Sequence, residues 1–147
     1  MPITIRAATE ADQTTIRRIV LDARINRMSL NWPNFVVAED DGAIVGVGQV
    51  KSHKDGSREL ASIAVIPARQ GQGIGSAIIE TLLAREPAAV LYLTCRAQLE
   101  TYYERFGFGF VMPVEYPPYF RRIVPLVNTV MRLFKLRIVV MRRKPAT

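Results

Sequence analysis

Residues 59–83 constrain the fold more than any other part of this sequence. Residues 60–66 form an apolar run typical of a buried strand, and Pro67 ends it because proline cannot donate to a strand ladder. Apolar residues recur at helical spacing from Ile74 onward. Between strand and helix lie three glycines, at every second position: Gly71, Gly73 and Gly75. The pattern predicts a strand, a glycine-rich turn and a helix, in that order.

This strand–turn–helix arrangement is typical of an anion site. The first N–H groups of a helix are unpaired, the helix dipole is positive at that end, and glycine has no Cβ to hold a phosphate away. A P-loop needs Lys-Ser/Thr after its last glycine, but Ser76 and Ala77 follow Gly75. A dinucleotide loop needs an acid about 20 positions further on, and residues 93–96 contain none. Neither of these phosphate loops therefore fits.

Two segments resemble the GNAT superfamily of N-acetyltransferases. Residues 70–75, Gln-Gly-Gln-Gly-Ile-Gly, resemble its Q/R-x-x-G-x-G/A signature, and residues 101–108 resemble its F-Y-x-x-x-G-F element. The resemblance covers roughly residues 3–112. It implies one α/β (α+β) domain over residues 1–147, with a mixed central sheet of about seven strands flanked by helices. The coenzyme-binding core is expected at about 59–112.

The resemblance also implies which residues bind the co-substrate acetyl-CoA, with the glycine loop around its pyrophosphate and no metal involved. Val65, near the strand end, is expected to bond the pantetheine arm. The predicted coenzyme-binding residues are Ala64, Val65, Arg69, Gln70, Gly71, Gln72, Gly73, Ile74, Gly75 and Ser76.

The resemblance further implies direct attack of an amine on the thioester in a ternary complex. Tyr103 falls on the family's general-acid position, and Glu59 on a position that some members use as a base, although water alone remains an alternative. Cys95 is expected to be a small buried residue and not a nucleophile. His53, in a polar loop, is expected to be solvated. Arg96 stands where the family often has an asparagine that contacts the coenzyme.

The rest of the chain predicts alternating strands and helices. Thr9 and Asp12 form a capping box at the start of a helix, and an Asp-Asp-Gly turn at residues 40–42 predicts a hairpin. The predicted strands are 3–6, 35–39, 43–50, 60–66, 90–94 (parallel to its neighbour), 108–112 and 136–141. After the first helix, further helices are predicted at 22–30, 76–85 and 98–106.

Residues 113–147 form an atypical basic segment with an extra helix between the last two strands, within 121–135. We expect that helix to begin near Pro125, since proline is tolerated in a first turn. Its apolar stripe packs on the sheet in one interpretation. In a second it is a lid with Tyr116 and Tyr119 facing the acceptor, and in a third it binds a membrane surface or nucleic acid. Its shortness and its four flanking basic residues argue against the third.

Charge, apolar runs and cysteine content limit the functions that the chain can have. Residues 1–115 hold 12 Lys/Arg and 13 Asp/Glu, whereas residues 116–147 hold eight Lys/Arg and no acid. No apolar run is long enough to span a membrane, no signal peptide is evident, and the single cysteine fits a reducing cytoplasm.

The sequence thus predicts a cytoplasmic N-acetyltransferase acting on a primary amine of a small molecule or peptide. A non-catalytic acyl-CoA-binding sensor of the same fold is the alternative, and a nucleic-acid-binding module is disfavoured because the tail lacks interleaved aromatic residues. Met28 and Trp32 are further candidates for acceptor contact. The acceptor itself, and whether the protein is a monomer or a homodimer, stay open.

Overall fold

A computed structural model describes residues 3–145. These residues contain seven strands: β1 Thr4–Ala7, β2 Phe35–Asp40, β3 Ala43–Ser52, β4 Arg58–Val65, β5 Leu91–Arg96, β6 Gly109–Phe110 and β7 Ile138–Arg143. They also contain four α-helices: α1 Gln13–Asp22, α2 Ile74–Ala84, α3 Glu100–Glu104 and α4 Pro118–Met131.

The strands form a mixed sheet in the order β1-β2-β3-β4-β5-β7-β6. The β4–β5 pair is parallel, while the β1–β2, β2–β3, β5–β7 and β6–β7 pairs are antiparallel. The predicted seven-stranded mixed sheet and the parallel fifth strand are therefore confirmed, as is the extra helix before the last strand.

The chain forms two compact units. One consists of residues up to 51 and residues 60–86, and the other of residues 52–59 and from 87 onward. The expectation of a single domain over 1–147 stays a prediction, and its end residues 1, 2, 146 and 147 lie outside the described residues.

One apolar cluster of the first unit lies under α1. The inner face of α1 packs there against β2, β3 and the end of β4, and the buried residues are Ala8, Ile16, Ile19, Val20, Leu30, Phe35, Val37, Val47 and Ala64. The predicted hairpin between β2 and β3 is present, with Asp41 and Gly42 at φ +51° and +81°. Both values lie in the left-handed region that such a two-residue turn requires.

The predicted helix at 22–30 is wrong. After α1 ends at Asp22, the chain runs without regular structure to a short 3-10 turn at Trp32–Asn34. Arg24 and Ser29 have φ of +57° and +60°, and a right-handed helix cannot contain such residues. Leu30 is buried, but Met28 is 65% exposed, so the segment lacks a continuous inner face.

The second unit has its own core under α4, made of Val111, Tyr116, Phe120, Val124 and Val140. The predicted start of this helix near Pro125 is wrong, because α4 begins at Pro118 and contains Pro125 in its interior. Burial of Phe120 and Val124 accounts for the earlier start, since it holds the first turns in place.

The predicted apolar stripe of this helix is only partly packed. Val130 and Phe134 are 52% and 66% exposed. Within the described residues, no helix combines the length and the apolar character needed to cross a membrane.

The start of α1 is fixed by a buried carboxylate. The backbone N–H of Thr9 donates to Asp12 Oδ2 at 2.7 Å, which confirms the capping box, and Arg6 Nη1 donates to the same oxygen at 2.8 Å. The hydrogen bond from Arg6 is the main reason that the pKa of Asp12 falls from 3.8 to about 2.

We predict that Asp12→Asn lowers the free energy of unfolding at pH 7 by about 2 kcal/mol, because it removes charge-assisted hydrogen bonds at the cap. Since the folded-state pKa is depressed, the stability that Asp12 contributes is complete above pH 4 to 5 and is lost as the pH falls towards 2. Urea unfolding from pH 7 to pH 2 measures it. A difference between wild type and variant that persists at pH 2 would contradict the assignment.

Candidate active site

Two glycines of β3 position the loop after β4. An ideal Cβ on Gly46 would lie 2.9 Å from Ile78 Cδ1, and one on Gly48 would lie 2.6 Å from Ile78 Cγ2. Real Cβ atoms do not approach carbon so closely, so α2 packs against β3 only because these two positions lack side chains. Sequence reasoning missed them, although an alternating Gly-x-Gly within an apolar strand is a usable signal.

The loop is tied to the end of β4 by short polar contacts. The N–H of Ile66 donates to the carbonyl of Val45 at 2.9 Å, and Gln70 Nε2 donates to the carbonyl of Val65 at 3.0 Å. Arg69 Nη1 pairs with Asp40 Oδ2 at 2.7 Å. The strand end and the loop are thus held against the β2–β3 hairpin.

Two glycines then turn the chain into α2. Gly71 and Gly73 have φ of +78° and +80°, which favours glycine, and Gly73 is the N-cap. No atom lies within 4 Å of an ideal Cβ on either residue, so open space faces the loop there. Because the N-cap residue is a glycine, it has no side-chain oxygen to cap the first turn of α2. The helix begins at Ile74, two residues earlier than predicted.

Glu59, a predicted site residue, pairs with a histidine, and both residues lie in the second unit. Glu59 is 6% exposed, and its Oε1 lies 2.7 Å from His53 Nε2. The ring of His53 stacks on Tyr119 with centroids 3.5 Å apart and an interplanar angle of 13°. Burial, followed by the charge of Glu59, raises the pKa of Tyr119.

The expectation that His53 is solvated is therefore wrong. The segment from His53 to Ser57 closes as a tight hairpin, with the N–H of His53 donating to the carbonyl of Ser57 at 2.9 Å and Gly56 at φ +88°. The N–H of Tyr119 donates to Asp55 Oδ2 at 2.8 Å, which docks α4 over this turn. The Asp55-Gly56 pair was the available signal, since Asp-Gly predicts a hairpin that brings His53 towards Glu59.

Tyr103 lies in α3 and is largely enclosed by aromatic side chains. Its ring centroid is 5.1 Å from that of Tyr102 and 6.4 Å from that of Phe108. Burial raises the pKa of Tyr103 from 10.0 to about 12. The hydroxyl is therefore protonated at neutral pH, as a proton donor must be.

The other residues that were predicted to contact the acceptor differ in how deeply they are buried. Tyr116 is 7% exposed and belongs to the core of the second unit. Trp32 packs on the core cluster of the first unit, whereas Met28 is exposed. Among residues 3–145, no group of three His, Cys, Asp or Glu is placed to hold a metal ion.

Cys95 is buried in β5, as predicted. Its Sγ lies 3.9 Å from Met141 Sδ, and burial is the main reason that its pKa rises from 9.0 to about 11. The thiol therefore stays protonated at neutral pH, which is unfavourable for a nucleophile.

We predict that Cys95 of the folded protein reacts with a thiol reagent at pH 8 roughly 100-fold more slowly than in the unfolded chain, because a rise of about two pKa units lowers the thiolate fraction by that factor. A disulfide-exchange reagent with absorbance detection, with and without denaturant, measures the ratio. Equal rates would show that the thiol is accessible and ionised.

Comparison with known proteins gives a consistent result. Residues 31–109, more than half of the chain, match the family model described as acetyltransferase (GNAT) domain. A comparison with curated proteins gives no match.

Solved structures with similar folds include two coenzyme A complexes and one N-acetyltransferase. N-acetylglutamate synthase from Neisseria gonorrhoeae, complexed with coenzyme A and N-acetyl-glutamate, has a TM-score of 0.75 and 21% identity over 100% of this chain and 36% of that one. Rv2747 from Mycobacterium tuberculosis, in complex with CoA, has a TM-score of 0.73 and 21% identity over 97% and 99%. The ribosomal-protein-S18-alanine N-acetyltransferase from Escherichia coli has a TM-score of 0.69 and 20% identity over 99% and 97%. At these identities the likeness shows the fold, and the chain spans only about a third of the Neisseria synthase.

Proposed function

Because this chain belongs to the acetyltransferase (GNAT) domain family, we propose that it transfers an acetyl group from acetyl-CoA to a primary amine. The observation that carries the proposal is the open glycine loop at the start of α2. Gly71 and Gly73 leave unfilled space where a side chain would lie, and the helix that follows begins with a glycine as its N-cap. Such a site suits the pyrophosphate of coenzyme A, through backbone N–H groups and the helix dipole.

The roles of the loop side chains follow from their contacts. Gln70 holds the Val65 carbonyl and Arg69 is paired with Asp40, so these side chains fix the loop shape. The backbone N–H groups of residues 71–76 then contact the phosphates. Ala64 and Val65, at the end of β4, bind the pantetheine arm.

The acetyl donor supplies a thioester, and the proposed reaction needs three proton movements. The amine nitrogen forms a bond to the acetyl carbon, the carbon–sulfur bond breaks, and the products are an amide and coenzyme A. Before attack the ammonium loses one proton to the Glu59–His53 pair, directly or through water, and after the N–C bond forms the nitrogen loses a second proton. Tyr103 gives a proton to the departing sulfur, its raised pKa keeps that proton in place at neutral pH, and the second proton of the nitrogen then restores the Tyr103 hydroxyl.

The pairing of Glu59 with His53 supports their proposed role as the acceptor of the proton from the ammonium. A buried carboxylate 2.7 Å from an imidazole nitrogen has a partner that is able to share an incoming proton. The stacked ring of Tyr119 holds the imidazole in place, so that both groups stay oriented. The three similar structures are consistent with this proposal, since their names state coenzyme A binding or N-acetyl transfer.

We predict that Gly73→Ala raises the KM for acetyl-CoA by about tenfold or more, because a Cβ there strains the backbone and fills the space that the pyrophosphate needs. Gly42→Ala is the matched control, since Gly42 has nearly the same φ, +81° against +80°, and equally open surroundings in the turn of the β2–β3 hairpin, outside the glycine loop. Steady-state kinetics and melting temperatures of both variants measure the effects. Similar losses of stability with equal KM values would contradict a coenzyme role for the loop.

We predict that Glu59→Gln and Tyr103→Phe each lower kcat by about 100-fold, the usual scale of acid–base catalysis, with the KM for acetyl-CoA within about threefold of wild type. Tyr102→Phe, next to Tyr103 but about 100° away around the helix, controls for loss of an aromatic hydroxyl. Unchanged turnover in Tyr103→Phe would remove the general-acid role, and in Glu59→Gln the proton-acceptor role.

The function itself is tested by thiol release from acetyl-CoA over a panel of amines, together with melting curves in its presence. At 100 times its dissociation constant, acetyl-CoA adds about 2.7 kcal/mol to the free energy of unfolding. Stabilisation without thiol release for any amine would favour the alternative, a non-catalytic acyl-CoA sensor. If millimolar acetyl-CoA neither stabilises the protein nor releases thiol, both the acetyltransferase proposal and the sensor alternative are overturned.

A further inference from the structure

Lys51, near the end of β3, is a buried cation without a carboxylate partner. It is 3% exposed, and its Nζ donates to the carbonyl of Met28 at 3.4 Å, the long end of the hydrogen-bond range. Among the ion pairs of residues 3–145, none includes Lys51. An ammonium has three donors, and buried lysines are almost always paired. Lys51 therefore has donors left for an anionic group.

Gln49, two residues earlier in the same strand, has a hydrogen-bond acceptor without a partner. It is fully buried, and its Nε2 donates to the carbonyl of Ser29 at 3.2 Å and to Ser62 Oγ at 2.8 Å. Its Oε1 is also buried and has no hydrogen-bond partner within the described chain. A buried acceptor left without a donor costs free energy, so it indicates a missing partner.

These two side chains share one face of β3. Gly46 and Gly48 face α2, and because strand residues alternate, Gln49 and Lys51 point to the opposite side. There they lie under the backbone carbonyls of Met28 and Ser29. One face of β3 thus carries the Lys51 ammonium, which can donate further hydrogen bonds, and the Gln49 amide oxygen, which can accept one, two residues apart along the strand.

The backbone above them is irregular and strained. Residues 23–31 contain no regular element, and Ser29 has a left-handed φ of +60°. Met28, whose carbonyl contacts Lys51, is 65% exposed. A ligand carboxylate that replaces the Met28 carbonyl gives the Lys51 ammonium a partner of opposite charge.

We propose that Lys51 and Gln49 form a subsite for the acceptor, and that this acceptor is an amino acid or related amine carrying a carboxylate. The inference rests on the proposed function, in which Met28 is already a candidate acceptor contact. The carboxylate pairs with Lys51, and an N–H of the same ligand donates to Gln49 Oε1. A phosphate fits less well, because its oxygens at neutral pH are acceptors and give Gln49 Oε1 no donor.

The test compares matched acceptors in the thiol-release assay. Each L-amino acid is assayed beside the carboxamides that neutralise its carboxylates, with wild type, Lys51→Met and the control Lys54→Met. Lys54 is an exposed lysine in the adjoining turn, so its variant makes the same charge change without touching the subsite.

We expect the wild type to prefer at least one carboxylate form over its carboxamide by about tenfold or more in kcat/KM. In Lys51→Met the KM for that acceptor rises by about tenfold or more with kcat within about threefold, and the carboxamide is unaffected. Lys54→Met behaves as wild type. The KM for acetyl-CoA is the same in all three proteins.

The melting temperature separates this role from a structural one. Replacing an unpaired buried ammonium by an apolar side chain of similar length is neutral or stabilising, so we expect Lys51→Met to melt at or above the wild-type temperature. A lower melting temperature together with unchanged selectivity would assign Lys51 to structure and overturn the inference.

The outcomes distinguish the two proposals. If no carboxylate form is preferred by wild type, or if Lys51→Met keeps the preference, the subsite is wrong while acetyl transfer to other amines stands. If acetyl-CoA neither stabilises the protein nor releases thiol, the proposed function is refuted, and the acceptor subsite, which rests on it, is refuted as well. The wild-type preference needs no variant, so the inference is refuted by its absence even if Lys51→Met does not fold.

Discussion

The close packing of α2 on β3 is the constraint on which the glycine loop depends. Gly46 and Gly48 leave room for Ile78, with ideal Cβ atoms at 2.9 and 2.6 Å from its side chain. That contact fixes where α2 begins, and therefore where its first N–H groups and the two left-handed glycines lie. A larger residue at either β3 position would move the helix by a fraction of an ångström or more, and pre-organisation of an anion site is sensitive to such shifts.

Burial of polar groups distinguishes the proposed functional residues of each unit from ordinary core residues. In the second unit, Glu59 and His53 satisfy each other at 2.7 Å under Tyr119. In the first, Gln49 and Lys51 are buried with hydrogen-bonding capacity left over. Buried polar groups cost free energy unless paired, so a satisfied pair is suited to holding a proton and an unsatisfied one to binding a ligand.

Much of the framework was predictable because it depends on local rules. The capping box at Thr9 and Asp12, the Asp-Asp-Gly hairpin and the strand–glycine–helix order each follow from the chemistry of adjacent residues, and the structure has all three. The two errors in secondary structure, a helix at 22–30 and a helix start at Pro125, came from the same kind of reasoning. In both cases long-range burial decided the outcome: Leu30 alone is held in the core, and Phe120 and Val124 hold turns that precede the proline.

The sequence by itself determined the family, the mixed sheet and the glycine loop, since apolar periodicity and glycine spacing are written in consecutive residues. Only the tertiary structure decided the neighbours of the polar side chains. His53 became a partner of Glu59 because a tight turn and the docking of Tyr119 enclose it. Lys51 became a buried cation because the irregular segment at Met28 and Ser29 folds over β3. Burial and pairing depend on residues far apart in the chain, and no local pattern specifies them.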